Sequence, residues 1–144
     1  MIEIAKFHPD HLKRLRLQSA QDYFRSEFGN PDYGKQLADS PFSFTGLVGD
    51  EVIACAGVHE LWENRGVAWA LLSENAGPHF RSVHRAVSGF LTQAPWRRVE
   101  MMVEAGFEPA HRWAQMLGMQ QEGLMRAYSP TGTDYFIYAR IKNG

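Results

Sequence analysis

Residues 109–123, PAHRWAQMLGMQQEG, constrain the fold of this chain more than any other stretch. Pro109 suits the opening turn of a helix, where its missing N–H is not needed. Ala110, Trp113, Ala114 and Leu117 then return on one side at helical spacing. Gly118 is a natural C-terminal cap, because the residue just past a helix often needs positive φ. A strand carrying Glu122-Gly123 follows with no linker. EGLMRAY and YFIYARI flank Ser129-Pro130-Thr131-Gly132, which predicts a closing hairpin.

The upstream sequence supplies the matching elements. Ile2 and Ile4 alternate with Glu3, a strand signal ending near Phe7. Pro9 and Asp10 suit a helix start. Helical spacing runs from His11 to Phe28, with Leu12, Leu15, Ala20, Tyr23 and Phe24 toward the core, until Gly29-Asn30-Pro31 breaks it. A second short helix spans Tyr33 to Ala38 and is ended by Ser40-Pro41. In FTGLVGDEVIACAGV two apolar runs flank Gly49-Asp50, a hairpin. The second run reaches Leu61, Glu63-Asn64-Arg65-Gly66 turns, and VAWALLSE follows, so 44–73 is an antiparallel meander. Asn75-Ala76-Gly77-Pro78 ends it, with Pro78 at the first position of a helix that sets Phe80, Val83, Val87, Phe90 and Leu91 on one face. Pro95 stops that helix. Arg98 to Glu104 alternates as a strand, with Val99, Met101 and Val103 on one side.

The 144 residues fit a single domain over 1–144, and nine Phe, five Tyr and four Trp furnish its core. Fifteen basic and sixteen acidic residues leave a net charge of -1, so no global drive toward nucleic acid or an anionic membrane exists. The lone cysteine, Cys55, lies in VIACAGV and reads as a small buried hydrophobe. With no intramolecular disulfide to form, a reducing compartment is expected. The first residues lack the apolar core of a signal peptide, and no run approaches the ~18 apolar residues of a membrane span. The expected location is cytoplasmic, with no nucleic-acid and no membrane partner. The six histidines and one cysteine show no metal-ligand spacing, and neither a G-x-S-x-G elbow nor a P-loop is present.

The order of strand, two helices, three antiparallel strands, helix, strand, helix and two strands resembles the GNAT superfamily of N-acetyltransferases. AHRWAQMLGM, then Glu122-Gly123, then the Tyr128 to Asp134 turn are similar to that family's A-x-x-x-Y-x-x-L-G-F helix, its E-G strand and its polar hairpin. Trp69-Ala70-Leu71-Leu72 and Ala110-His111-Arg112-Trp113 resemble a small subgroup from tailed phages and prophages, some of them internal virion proteins. The resemblance implies an α/β fold with a central mixed, mostly antiparallel sheet flanked by helices. It also implies acyl-CoA as co-substrate, with pantetheine pairing like an extra strand and pyrophosphate at a helix N-terminus. An amine would attack the thioester carbonyl directly, aided by a base, an oxyanion donor and an acid for the leaving thiolate.

Carried over residue by residue, the resemblance makes Leu71, Leu72, Gly77, His79, Phe80, Arg81 and Arg85 the candidates for holding acetyl-CoA. Three departures accompany it. Of the family's Q/R-x-x-G-x-G/A loop, matched to Glu74 through His79, only Gly77 fits. Pro78 removes a donor, although His79, Arg81, His84 and Arg85 bring positive charge; the two arginines would equally form a solvated helix face. Ala114 stands where the family often has its acidic Tyr, and Phe107 where it often has Asn. Candidates for the base are Glu60 with His59, and Glu104; Tyr128 is the candidate acid. Each carboxylate would equally be an ordinary surface group, and Trp69 reads as core. The expectation is therefore acetyl transfer to an amine of a protein or small molecule. The alternative from another class is an inactive phage structural or protein-binding protein, in host cytosol or virion, with a phage or host protein partner. A homodimer paired through the C-terminal strands is the self-association the sequence admits.

Overall fold

The computed structural model describes residues 2–16 and 31–142. Its elements, in chain order, are β1 (Glu3–Lys6), α1 (Asp10–Arg14), α2 (Pro31–Asp39), β2 (Ser43–Val48), β3 (Glu51–Trp62), β4 (Arg65–Leu72), a 3-10 turn (Gly77–His79), α3 (Phe80–Gln93), β5 (Arg98–Glu104), α4 (Glu108–Met116), β6 (Gln120–Met125) and β7 (Tyr135–Ile141). The strands form one seven-stranded sheet in the order β1-β2-β3-β4-β5-β7-β6. Only the β4–β5 pairing is parallel among the registers described here; β1–β2, β2–β3, β5–β7 and β6–β7 are antiparallel. The expected mixed, mostly antiparallel sheet with flanking helices is what forms.

By compactness the chain divides into two units, one of residues 1–59 and 69–93, the other of 60–68 and 94–144. In the first, Phe7, Leu12, Leu15, Leu37, Val52, Cys55 and Leu71 form a buried cluster, with Ala38, Leu47 and Trp69 packed against it. The hairpin turns where the sequence places it: Gly49 has φ 60°, a conformation costly for other residues. Lys6 Nζ donates to the carbonyls of Ala38 (3.3 Å) and Ser40 (2.8 Å), a cation at the C-terminal end of α2. Cys55 is fully buried and its thiol is pushed up to about 12, chiefly by desolvation, so it stays protonated. Its Sγ lies 3.9 Å from Thr45 Oγ1, and that hydroxyl lies 2.7 Å from His11 Nδ1.

Two expectations in this unit are corrected. The helix beginning near His11 stops at Arg14 instead of running on. Leu15 is extended (φ -81°, ψ 124°) and buries its side chain with Leu12, so core packing overrides local helical spacing. Ala20, Tyr23, Phe24 and the Gly29-Asn30 break lie outside the described residues, and Pro31 opens α2. Pro78, read as the first residue of an α-helix, sits inside the 3-10 turn. The Ala76 carbonyl takes the His79 N–H three residues on (2.9 Å) before α3 begins.

In the second unit, α4 ends as the sequence anticipates. Met119 N–H donates to the Ala114 carbonyl (3.0 Å) and Gly118 N–H to Gln115 (3.0 Å), with Gly118 at φ 80°. This is the paired-bond cap in which the chain leaves the helix through a left-handed residue. Met119, only 4% exposed, is thereby returned to the core while β6 starts at the next residue. Val99 and Val103 are buried as expected, but so is Glu100 on the opposite face of β5, at 1% exposure. β5 lies inside the sheet between β4 and β7, and an interior strand can be covered on both faces.

Candidate functional site

The loop from β4 to α3 carries most of the residues expected to meet a cofactor, all within the first unit. Ser73 is fully buried, and its N–H donates to the Ile53 carbonyl (2.8 Å). Its hydroxyl accepts the Asn75 N–H (3.0 Å) and its carbonyl the Ala76 N–H (3.0 Å). Glu74 N–H donates to Arg16 (2.6 Å) and His79 N–H to Ala76 (2.9 Å). Pro78 has no N–H. Among the described residues, Gly77 is thus the loop position between Glu74 and His79 whose amide has no hydrogen-bond partner. A Cβ built on Gly77 would meet nothing within 4 Å, so the space beside it is open.

The loop itself carries the exposed Glu74, and the Asn75 side-chain amide donates to Glu51 Oε2 (2.8 Å), so the basic charge lies on the helix that follows. α3 contains no acidic residue, and Arg81 and Arg85 are exposed, with no ion pair among the described residues. His79 and His84 are half-buried; the His84 ring stacks on Phe80 at 6.3 Å and 24°. Leu71 is buried at 3% in the core cluster, and Leu72 is half-buried. A polyphosphate approaching the start of α3 would meet one open amide and several cationic side chains rather than a row of free amides. The residues present fit such a group on those terms.

The candidate bases lie in different surroundings. His59 is half-buried and stacks on Trp69 (6.2 Å, 25°); burial lowers its pKa below the usual histidine range. Glu60 accepts the indole N–H of Trp96 (2.9 Å), a side chain only 2% exposed, so this carboxylate secures a buried tryptophan. Glu104 is half-buried at the end of β5, and among the described residues its carboxylate has no partner. Glu104 pairs across the sheet with Tyr135, whose ring lies 5.2 Å from that of Tyr128. The second unit therefore brings Glu104 and Tyr128 to one corner around Tyr135. Tyr128 is 51% exposed.

His111 is a residue that sequence reasoning passed over as a site. It is buried, and its Nε2–H donates to the carbonyls of Glu104 and Ala105, both at 3.0 Å. Nδ1 lies 2.7 Å from Tyr138 Oη, whose hydroxyl also reaches Gln121 Oε1 at 3.2 Å. The Phe107 N–H also reaches the Glu104 carbonyl (3.1 Å), and Ala105 N–H donates to Asp134 (2.9 Å). The backbone carrying Glu104 is thus pinned from three directions. The available signal was positional: His111 lies three residues before Ala114, beside the apolar side of α4.

Lowered histidine pKa values give the fold a pH dependence. His11 is shifted down by burial first, then by Arg14 and His8, and His59 by burial. Each is neutral when folded, so the unfolded chain binds more protons as pH drops below the ordinary 6.5. Their contribution is complete above that value and is lost as pH falls toward the lowered folded values. Urea unfolding at pH 7.5 and 5.5 should show lower stability at 5.5. The gap should narrow in His59→Gln; an unchanged gap in both His59→Gln and His11→Asn would overturn the assignment.

No family model matches this chain, and no curated protein does. Solved structures do. The Ard1 protein of Thermoplasma volcanium superposes with a TM-score of 0.81 at 11% identity, over 99% of each chain. A GNAT-family acetyltransferase of Bacillus cereus gives 0.73 at 13%, over 100% of this chain and 99% of that one. One of Bacillus anthracis gives 0.70 at 13%, over 97% and 94%. Likeness at such identity is likeness of fold, and this chain has the GNAT acyl-CoA N-acyltransferase fold.

Proposed function

We propose that this protein is an acyl-CoA-dependent N-acyltransferase, moving acetyl to an amine of a protein or small molecule. The observation that carries the reading is the start of α3: an open glycine amide beside a helix that carries Arg81 and Arg85 and no acidic residue, in a fold its neighbours share as acetyltransferases. His79, Arg81, His84 and Arg85, with the Gly77 amide, would hold the phosphates; Leu71, Leu72 and Phe80 would line the adjoining wall. The thioester, when bound, supplies an activated acyl carbonyl. Glu104 is the base in this reading. Its carboxylate is uncommitted and its backbone is immobilised by His111, so the side chain starts from a fixed position. His59, neutral near pH 7, could take a proton in the same step, whereas Glu60 would have to release Trp96. The exposed hydroxyl of Tyr128, beside Tyr135, is the acid for the leaving thiolate, in place of the helix position that Ala114 occupies.

Calorimetric titration with acetyl-CoA tests the reading. Micromolar binding is expected, weakening about tenfold to a hundredfold in Arg81→Glu/Arg85→Glu and falling with added salt. No heat and no thermal stabilisation at millimolar acetyl-CoA would sink it, and would favour a binding protein built on the same fold. Given binding, an amine screen with Glu104→Gln should leave affinity intact and abolish turnover.

A further inference from the structure

The second unit holds a groove that the acyl-transfer reading does not use. It encloses about 580 Å³ and is lined by Trp62, Asn64, Arg65, Arg97, Arg98, Glu100 and Ile141. Its polar wall is a fixed ionic lattice. Arg65 grips Glu100 with two bonds (Nε–Oε2 2.6 Å, Nη2–Oε1 2.9 Å), and Arg98 Nε adds a third (2.7 Å). Arg98 then forks onto Glu122 at 2.6 and 3.1 Å. The Arg65 guanidinium lies 4.5 Å from the centre of the Trp62 ring. That ring is held by a cation that Glu100 fixes, and it remains 60% exposed. Ile141, 46% exposed, is a second apolar face of the groove.

Charge identifies the occupant. The lining holds three arginines against one glutamate, in a chain whose net charge is -1. Glu100 answers Arg65 and Arg98, and Glu122 answers Arg98 again. Arg97 is exposed, and among the described residues its guanidinium has no hydrogen bond or ion pair. A guanidinium fork matches a carboxylate, and a rigid exposed tryptophan beside an arginine is the usual anchor of a protein contact. We propose that this groove docks an extended protein segment in which a carboxylate side chain follows an apolar or aromatic one. The apolar group packs on Trp62 and Ile141, and the carboxylate pairs with Arg97. Arg65 and Arg98 are already fixed by Glu100, so the ordering cost on binding falls mainly on Arg97. This inference stands independently of acyl transfer.

Amide-resolved NMR on the full chain tests it, with acetylated and amidated Ile-Asp-Phe-Glu as probe and Ile-Lys-Phe-Lys as control. The acidic peptide should shift the Trp62 indole and the amides around 97–98 and 141, at submillimolar to millimolar affinity, and more weakly in high salt. Arg97→Glu should weaken it about tenfold, and Trp62→Ala should do the same through the apolar contact. Both positions are exposed, so these variants should fold, which circular dichroism would check. Absence of shifts at millimolar peptide, equal response to the basic control, shifts elsewhere on the protein, or benzoate binding as well as the peptide would each overturn the proposal.

Discussion

Replacing Gly57 with alanine is expected to lower the unfolding free energy by about 3 kcal/mol or more, although it adds one methyl group. The added Cβ would sit 2.4 Å from the Phe42 carbonyl oxygen, 2.9 Å from Trp69 Nε1 and 3.0 Å from Ser43 Cα. Two of those atoms are backbone in the β2–β3 pairing, where Ser43 faces Gly57 and the Val58 N–H donates to Phe42 (2.9 Å). A flexible side chain could move aside; this ladder cannot without losing bonds. Thermal unfolding should therefore fall by roughly 10 °C for a domain of this size. Gly89→Ala is the matched control. It lies within α3, its added Cβ would meet nothing within 4 Å, and alanine is the better helix former. That change should raise stability by roughly 0.5–1 kcal/mol. Equal effects of the two substitutions would refute the packing argument.

The second large effect is expected at Glu100. Its carboxylate is nearly inaccessible and takes three charge-assisted bonds from two arginines. Glu100→Gln sets an amide donor against guanidinium donors and removes the charge that both arginines answer. Removing one partner of a buried pair costs about 3–5 kcal/mol. Here Arg65 and Arg98 keep 28% and 30% of their side chains exposed and can turn to water, so a loss of about 2–3 kcal/mol is expected. The pH dependence has the same sign as that of the histidines and lies lower on the scale. The Glu100 pKa is lowered, first by the bond from Arg65, so its stabilisation is present above the ordinary carboxylate value of 4.5 and is lost as pH falls through the depressed folded value. Acid unfolding of Glu100→Gln should show a shallower limb below that value. A stability and acid limb identical to the parent would mean the lattice contributes nothing to folding. The same variant should leave acetyl-CoA titration unchanged at temperatures where it is folded.

Most elements could be read locally. Apolar runs on either side of Gly49-Asp50 and of the 63–66 turn marked β2 to β4, and alternation marked β1 and β5; Gly49 and Gly118 marked their turns because each needs a left-handed backbone. Pro31, Pro78 and Pro109 each fall at or near a helix start, where a missing N–H costs nothing. The cap at Ala114 to Met119 was legible because helix, glycine and following strand act within one turn of chain. The end of α1 was not legible, since Leu15 leaves the helix to reach a core assembled from β3 and β4.

The candidate site was legible in its residues and less so in their commitments. The sequence supplied the cations of α3, His59, Glu60, Glu104 and Tyr128 as chemistry that could serve a reaction. Only the tertiary structure set them apart: Glu60 on the Trp96 indole, His59 against Trp69, Glu104 on a backbone pinned by His111, and loop amides already bonded to Ser73, Arg16 and Ala76. The sequence by itself determined the order and kind of the elements, because periodicity, proline and glycine act over a few residues. Which polar groups are buried, paired or left open depends on partners tens of residues away, as Arg65 and Glu100 are, and that was decided when the sheet brought the strands together.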